Sequence, residues 1–189
     1  MDIEIERLSS QYRIRRLGEE DVDQIFSLCS GNEQFYRFHP PFVTKESILE
    51  DQRALPPGKD QTDKYYLGFF EGDVLAAVLD LILDYPEEQT AYIGFFMVDA
   101  KLQGRGYGSA MVEECIQYVS QLGYRKLRLA IDRGNPQSEA FWTKNGFKKT
   151  GEEKAHGCLA YVPMERLLEK EAALADPDEI CKNSVRKNS

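Results

Sequence analysis

Three glycines alternate with larger residues in the segment 103–109, which reads Gln-Gly-Arg-Gly-Tyr-Gly-Ser. The segment follows a predicted strand that ends near Val98 and precedes a predicted amphipathic helix. Glycines let the backbone approach a ligand closely, and the unpaired N–H groups of a first helical turn attract anions. Arg105 and Lys101 add positive charge. The spacing therefore predicts a phosphate-binding turn, and the alternative is a tight turn that binds nothing.

Two other phosphate-binding patterns fit this segment less well. The chain contains no G-x-x-x-x-G-K-[ST] sequence, which excludes a Walker loop. The dinucleotide pattern G-x-G-x-x-G/A requires Gly or Ala at position 109, where the chain has Ser109. Asp132 ends the next predicted strand and would suit the ribose of a dinucleotide. A nicotinamide-dependent oxidoreductase therefore stays open as an alternative, although the β-meander predicted upstream is not typical of that fold.

The elements around the segment follow from the spacing of apolar residues. The predicted order is a strand at 12–15, helices at 22–29 and 44–55, meander strands at 64–70, 74–84 and 90–98, a helix ending at 122, a strand at 127–131, a helix at 136–144, and two closing strands at 147 and 158–164. Thr44 and Asn135 are good N-caps, and Pro136 suits a first helical turn. The aromatic stretch 35–42 ends in two prolines and is predicted to be a loop.

A second motif follows the glycine-rich segment and reads Asn135-x4-Ala140-Phe141-Trp142-x3-Gly146-Phe147. Together with Gln103-x-x-Gly106-x-Gly108, it resembles the GNAT superfamily of acetyl-CoA-dependent N-acetyltransferases. The resemblance covers about residues 12–168, because the predicted order of elements is also that of the family. The segment 162–167 is similar to the family's last strand.

The resemblance implies a binding site for acetyl-CoA as co-substrate. The residues implied are Phe96, Met97 and Val98 on a strand edge that pairs with the pantetheine amides, then Gln103, Gly104, Arg105, Gly106, Tyr107, Gly108 and Ser109 around the pyrophosphate, with Asn135 and Trp142 on the far side of the slot. Phe141 belongs either to this far side or to the packing of a short helix. The implied reaction is direct transfer of acetyl to a primary amine in a ternary complex.

Transfer to an amine requires a neutral nitrogen. An amine of pKa near 10.4 is only about one part in a thousand neutral at pH 7.4, so its deprotonation costs roughly 4 kcal/mol. Tyr92 stands where the family often has a glutamate base, and its alternative role is that of a strand aromatic. Asp80 and Glu88 are the other candidates, acting through a water. The backbone N–H of Met97 is the candidate oxyanion donor. Trp142 occupies the position of the family's acid tyrosine and cannot usefully give up a proton.

The acceptor amine is expected to bind beside the aromatic stretch 35–42. Tyr36, Phe38 and His39 are the candidate substrate contacts, and the alternative is that these side chains form a satellite core. No metal is expected, because His39 and His156 share no ligand spacing with each other or with the cysteines. A non-catalytic acyl-CoA sensor of the same fold is the strongest rival to an enzyme.

Composition sets the broad class. The 189 residues carry a formal net charge of −8, which disfavours a protein that grips nucleic acid, and no stretch has the length of a membrane span or a signal peptide. Four widely spaced cysteines suggest reduced thiols and a cytoplasmic protein. We expect a flexible N-terminus over 1–11, one α/β (α+β) domain over 12–168, and a frayed polar tail over 169–189. Its sheet should be mixed and mostly antiparallel with helices on both faces, and a homodimer is possible.

Overall fold

The computed structural model describes residues 3–151, 153–156 and 159–168. The strands are β1 (Arg13–Arg16), β2 (Lys64–Glu71), β3 (Val74–Ile82), β4 (Thr90–Val98), β5 (Lys126–Asp132), β6 (Lys148–Lys149), β7 (Lys154–His156) and β8 (Leu159–Leu167). The helices are α1 (Val22–Ser30), α2 (Glu33–Tyr36), α3 (Lys45–Arg53), α4 (Tyr107–Gln121) and α5 (Pro136–Lys144), with 3₁₀ turns at Ile5–Leu8, Glu19–Asp21 and Ala100–Leu102. The predicted tail lies outside the described residues.

The eight strands of the described residues form one sheet in the order β1-β2-β3-β4-β5-β8-β6, with β7 paired to β8. The pair β4–β5 is parallel and the other pairs are antiparallel. A parallel pair requires a crossover, and α4 provides it between β4 and β5. The sheet confirms the predicted class, with β7 as a strand that the sequence did not predict separately.

Two cores cover the two faces of the sheet. One face packs the apolar side of α4 and α5 through residues such as Met111, Val119 and Trp142. The other packs α1 and α3 through Ile25 and Ile48. Helices on both faces therefore confirm the predicted layers. None of the helices in the described ranges has the length and apolarity that crossing a membrane requires.

The capping residues act as the sequence predicts. Thr44 Oγ1 accepts a hydrogen bond from the Ser47 N–H at 3.1 Å and starts α3, and Asn135 Oδ1 accepts one from the Ser138 N–H at 3.1 Å and starts α5. The predicted loop 35–42 differs in part, because α2 extends into it as one short helical turn.

The N-terminal segment differs from the flexible terminus that we expected. Its 3₁₀ turn Ile5–Leu8 lies against α4, and Leu8 is fully buried. The Glu4 N–H donates to the Tyr118 hydroxyl at 2.9 Å, and the Ser9 hydroxyl donates to Glu114 Oε2 at 2.8 Å. Residues 3–10 are therefore part of the folded domain.

Candidate functional site

The sheet opens between β4 and β5. The two strands pair from Thr90 to Ile93, and no pairing between them follows in the described sheet, although β5 continues on β8 as far as Asp132. The opening between residues 94–98 of β4 and 130–132 of β5 is called the slot below. An extended ligand with amide groups can add to such a strand edge as an extra strand.

A β-bulge at Gly94 marks the inner end of the slot. Phe95 and Ile93 pair with the consecutive residues Asp80 and Leu81 of β3, so Gly94 is the extra residue of β4. A β-carbon at position 94 would lie 2.6 Å from Oδ2 of Asp80, a distance that only a glycine avoids. The bulge therefore lets a carboxylate lie against β4 where the slot begins.

The glycine-rich segment forms the outer end of the slot. The first bond of α4 joins the Ala110 N–H to the Gly106 carbonyl at 3.0 Å, so the N–H groups of 107–109 have no partner within the helix. Gly106 has φ +89°, a left-handed conformation that lets the chain turn sharply into the helix. A β-carbon at Gly108 would lie 3.2 Å from Val98 and 3.3 Å from Phe141. The helix start therefore lies directly beside the slot.

A continuous cavity of about 1000 Å³ joins the slot to a second space, called the acceptor chamber below. Its walls are Phe35, Tyr36, His39, Asp51, Tyr66 and Asp80, which come from α2, the loop after it, α3, β2 and β3. The predicted site residues that line the cavity are Tyr36, His39, Asp80, Tyr92, Phe96, Met97, Val98, Gln103, Gly104, Gly106, Gly108, Ser109 and Trp142. The structure therefore brings most of the predicted site together.

Four predicted residues do not line the cavity. They are Phe38, Arg105, Tyr107 and Asn135. Asn135 is buried and its side chain is occupied in capping α5, while Arg105 and Tyr107 are exposed on the glycine-rich segment. Glu88, the alternative base, lies exposed in the turn before β4 and is also absent from the lining.

Asp80 and Lys64 form a buried ion pair in the floor of the acceptor chamber. Lys64 Nζ lies 3.0 Å from Asp80 Oδ2 and donates to the carbonyls of Asp51 at 2.7 Å and Ala54 at 2.8 Å. Burial raises the pKa of Asp80 to about 6, although Lys64 opposes that shift. Asp80 Oδ1 is buried and has no hydrogen-bond partner in the described structure. This buried oxygen is therefore an unsatisfied hydrogen-bond acceptor in the floor of the chamber.

Tyr92 lies on β4 beside the inner end of the slot. Its ring packs edge-on against Tyr85 with the ring centres 5.3 Å apart. Burial, followed by the neighbouring Tyr85, raises the pKa of Tyr92 to about 12. Such a phenol is protonated at neutral pH, so it can donate a hydrogen bond and is a poor acceptor of a proton.

His39 and Asp132 meet across the cavity from distant parts of the chain. His39 Nδ1 lies 3.0 Å from Asp132 Oδ1, and Asp132 is the last residue of β5. The hydrogen bond to Asp132 raises the pKa of His39 above its ordinary value, against the opposing effect of burial. The sequence offered Asp132 only as a ribose-binding acid, and nothing in its spacing indicated this partner.

A chain of side-chain amides ties the slot to the acceptor chamber. Gln103 Nε2 donates to the Val98 carbonyl at 2.9 Å and to Asn32 Oδ1, and Gln103 Oε1 accepts from Gln137 Nε2 at 3.2 Å. Asn32 precedes α2 and Gln137 begins α5. Gln103 therefore holds the end of β4 between the two walls rather than pointing freely at a ligand.

The apolar part of the slot is formed by aromatic rings. Phe96 stacks on Phe141 with ring centres 6.0 Å apart, and Trp142 packs against both. Phe141 lines the cavity and also packs against the core. Met97 remains paired with Val78 of β3, and its side chain is buried on the α1–α3 face.

Several cavity residues were not predicted from the sequence. They include Asn32, Phe35, Glu50, Asp51, Lys64, Tyr66, Asp132, Gln137 and Tyr161. Phe35 belongs to the aromatic stretch 35–42, which contains the predicted substrate contacts, whereas the sequence around Lys64 indicates only a strand. Asp51 keeps contact with solvent, yet the surrounding protein excludes enough water to raise its pKa.

The two cysteines in the described structure are unsuited to carrying an acyl group. Cys29 lines the cavity and Cys115 lies in the core, and both are buried and free. Burial raises the pKa of each thiol to about 12, so neither is a thiolate at neutral pH. Among the residues that the structure describes, no group of three or more His, Cys, Asp or Glu side chains could hold a metal ion.

Solved structures of acetyltransferases share this fold. An acetyltransferase from Thermus thermophilus superposes with a TM-score of 0.66 at 21% identity over 84% of this chain and 97% of that chain. The PaiA N-acetyltransferase from Thermoplasma acidophilum, in complex with coenzyme A, gives 0.60 at 20% identity over 82% and 98%. Spermidine N-acetyltransferase from Vibrio cholerae, in complex with CoA and spermine, gives 0.62 at 19% identity over 86% and 98%.

Comparison of the amino-acid sequence with known families identifies the family of this chain. No match was found among curated protein sequences. The model of the acetyltransferase (GNAT) family matches residues 23–147, which include the slot, the glycine-rich segment and most of the acceptor chamber. Because this match covers well over half of the chain, the protein belongs to the acetyltransferase (GNAT) family.

Proposed function

We propose that the protein transfers an acetyl group from acetyl-CoA to a primary amine by direct reaction in a ternary complex. The observation that carries this proposal is the continuous cavity, in which an unpaired strand edge opens onto a chamber with a partnerless carboxylate oxygen. Two substrates bound in the slot and in the chamber would meet at the bulge. The buried, protonated cysteines favour direct transfer over an acyl-enzyme.

The residues of the slot fit a CoA thioester, which when bound supplies the activated acetyl group. The N–H groups of 107–109 and the adjacent glycines suit its pyrophosphate, and the edge 94–98 suits its amides. The N–H groups of Asp99 and Met97 face β3, so the predicted donor Met97 is not available, and we assign a slot-facing backbone N–H of β4, at Phe96 or Val98, as donor to the acetyl carbonyl oxygen. Trp142 and Phe96 form an apolar wall of the slot.

Asp80 is the residue that we assign as base. Its carboxylate lies beside the bulge, its Oδ1 is unpartnered, and its pKa of about 6 makes it ionised yet still basic at neutral pH. A base is needed because an amine of pKa near 10.4 is almost fully protonated at pH 7.4. Tyr92, whose pKa is about 12, serves better as a hydrogen-bond donor in the chamber than as a base.

A cationic amine suits the acceptor chamber. Glu50 and Asp51 line it from α3 and add negative charge, and the half-buried Tyr36 adds an aromatic wall. The Tyr66 ring already has Lys64 Nζ above it, 5.7 Å from its centre. Two of the proteins with a similar fold are a spermidine N-acetyltransferase from Vibrio cholerae and the ribosomal-protein-S18-alanine N-acetyltransferase from Escherichia coli, which supports an amine acceptor for this chain as well.

The first prediction is that acetyl-CoA stabilises the protein and that NAD and NADP do not. A ligand at a hundred times its dissociation constant adds about 2.7 kcal/mol, which raises the melting temperature by about 2–4 °C per kcal/mol for a chain of this size. Acetyl transfer is then measured by mass spectrometry on spermidine, tyramine and a peptide that begins with alanine. A shift with acetyl-CoA but no product would favour a non-catalytic sensor. A shift with a nicotinamide nucleotide alone would overturn the proposal.

A further inference from the structure

The His39–Asp132 pair has the geometry of an oriented imidazole. The side chain of Asp132 is 7% exposed and that of His39 is 41% exposed, so the carboxylate is fixed in the protein while the ring is open to the cavity. The 3.0 Å bond occupies Nδ1 and leaves Nε2 as the nitrogen for a ligand. An Asp–His pair of this kind fixes both the ring orientation and the nitrogen that carries the reactive proton.

The pair lies on the chamber side of the slot. Side chains alternate along a strand, and Ile131 packs in the core with α4, so Ala130 and Asp132 point to the opposite face of β5. The His39 ring stacks on Phe35 with centres 5.1 Å apart, and Phe35 meets Phe95 of β4 at 6.2 Å. His39 therefore bridges from β5 toward β4 over the slot.

Trp142 lines the slot from its other side, on α5. An indole N–H does not ionise usefully, so this side of the slot offers no acid where the family pattern has a tyrosine. The His39 imidazole across the slot also lines the cavity, and histidine is the side chain whose ordinary pKa lies near neutrality, so it can deliver a proton there. A sulfur atom held in the slot would be flanked by these two side chains.

We propose that His39 is the general acid that protonates the departing sulfur of coenzyme A, and that Asp132 is its positioning residue. This inference rests on the proposed acetyl transfer. As the C–N bond forms and the C–S bond breaks, the electron pair of the C–S bond goes to sulfur, which takes the proton from His39 Nε2. The amine nitrogen releases its proton to solvent through Asp80, and His39 recovers one from solvent.

The surroundings of His39 favour the charged form that this role requires. Asp132 faces it from β5, Asp51 from α3, and the Tyr161 ring from β8 at 6.4 Å between ring centres. The two carboxylates raise the pKa of His39, and the largest cause is the hydrogen bond that His39 donates to Asp132. Transfer from an imidazolium to a thiolate is favourable, because a thiol has a pKa near 8.5.

Binding alone tests the contact between His39 and the sulfur. The chain has two histidines, so the His156→Gln variant leaves only the imidazole signals of His39 in an NMR spectrum. These signals should shift when coenzyme A is added and shift much less with desulfo-coenzyme A, which lacks the sulfur. Equal shifts with the two ligands, or none with either, would overturn the assignment.

Kinetics tests the proton transfer, with whichever of spermidine, tyramine or the alanine peptide is acetylated fastest as acceptor. The His39→Gln variant should lower kcat with acetyl-CoA about 100-fold, the size of a typical general-acid effect. With the selenoester analogue of acetyl-CoA the loss should be less than about fivefold, because a selenolate leaves without protonation. The Asp132→Asn variant should move the alkaline limb of the pH profile to lower pH, because the pKa of His39 falls.

The outcomes separate this inference from the proposed function. If the wild-type protein acetylates none of the three amines, the proposed function fails first. If the wild type is active and folded His39→Gln protein keeps its rate, or loses it equally with thioester and selenoester, His39 is not the acid. Unchanged melting temperatures of both variants show that the losses are not losses of fold.

Discussion

Asp80 combines two properties that seldom occur together in a carboxylate. It is buried enough to have a raised pKa, and it has an ion-pair partner in Lys64 that limits the rise. Lys64 is itself held by two carbonyls of the α3 C-terminus, so it cannot move away from Asp80 without leaving those oxygens unsatisfied. This arrangement limits the pKa of the proposed base through a fixed positive charge.

The pH dependence of the reaction follows from this pair. The raised pKa means that Asp80 is ionised above about pH 6, so kcat/KM should rise through pH 6 and fall again at higher pH only where His39 loses its proton. The Lys64→Met variant removes the charge that lowers the pKa, so the acid limb should move to higher pH. The Asp80→Asn variant should lose about 100-fold or more in kcat, as expected for a missing base. Stopped assays from pH 5 to 8 measure both.

Folding stability provides the check on this prediction. Burial raises the folded pKa of Asp80 above its ordinary value of 3.8, so the folded chain binds more protons between these pH values. The free energy of unfolding contributed by Asp80 therefore falls as pH rises from 3.8 to about 6. The Asp73→Asn variant, at a fully exposed hairpin carboxylate, is the control and should change neither profile. An acid limb that stays in place in Lys64→Met would contradict the role of the pair.

At the scale of elements, the site depends on where two strands part. The bulge at Gly94 and the start of α4 at Gly106 define the two ends of the slot, and Gly108 sits between its walls. Each of these glycines is required for a different reason, namely a close carboxylate, a left-handed turn and a close helix–strand contact. The cavity arises where β4 and β5 separate beside the start of α4.

The Gly108→Val variant should weaken acetyl-CoA binding at least tenfold while the domain stays folded. The new side chain would meet Val98 and Phe141 at the tight distances of its β-carbon, and such overpacking costs about 1–3 kcal/mol. The strain falls on the walls of the slot, so the bound state loses affinity by about 1.4 kcal/mol per tenfold. Isothermal titration of acetyl-CoA measures the change.

The matched control is Ala110→Val, on the same helix turn. Ala110 is exposed, so the variant carries the same β-branched side chain into the helix without touching the slot. Its affinity for acetyl-CoA should equal that of the wild type. Equal losses in both variants would mean that any β-branched side chain in this helix turn weakens binding, and that the contact with Val98 and Phe141 does not explain the effect.

Local signals in the sequence predicted most helices and strands, but they did not predict contacts between residues far apart in the sequence. Thr44, Asn135 and Pro136 act on their own neighbours, so their caps were predictable one helix at a time. His39 and Asp132 are 93 residues apart, and no spacing rule links a loop histidine to the end of a distant strand. Asp80 was named as a candidate, but its pKa depends on Lys64, which the strand pairing brings opposite the same chamber.

At the scale of the whole molecule, the N-terminal segment extends the core that supports α4. Charged residues at positions 2, 4, 6 and 7 made the segment look like a solvated terminus. The apolar residues between them, Ile3 and Leu8, are nevertheless buried against the α4 face of the sheet. Arg7 also lies over the Tyr118 ring, 4.8 Å from its centre. The helix that begins at the glycine-rich segment is therefore braced along its length by residues from the start of the chain.

The Leu8→Ala variant tests whether this segment is part of the domain. Leu8 has no exposed surface, and replacing a fully buried leucine by alanine lowers the free energy of unfolding by about 2–5 kcal/mol. Glu6→Ala, two residues earlier and exposed, should stay within about 0.5 kcal/mol of the wild type. Urea unfolding followed by circular dichroism measures both variants. Equal and small losses would show that residues 3–10 do not pack on α4 in solution, whereas a large loss for Leu8→Ala alone makes the N-terminal segment a structural part of the helix that carries the glycine-rich segment.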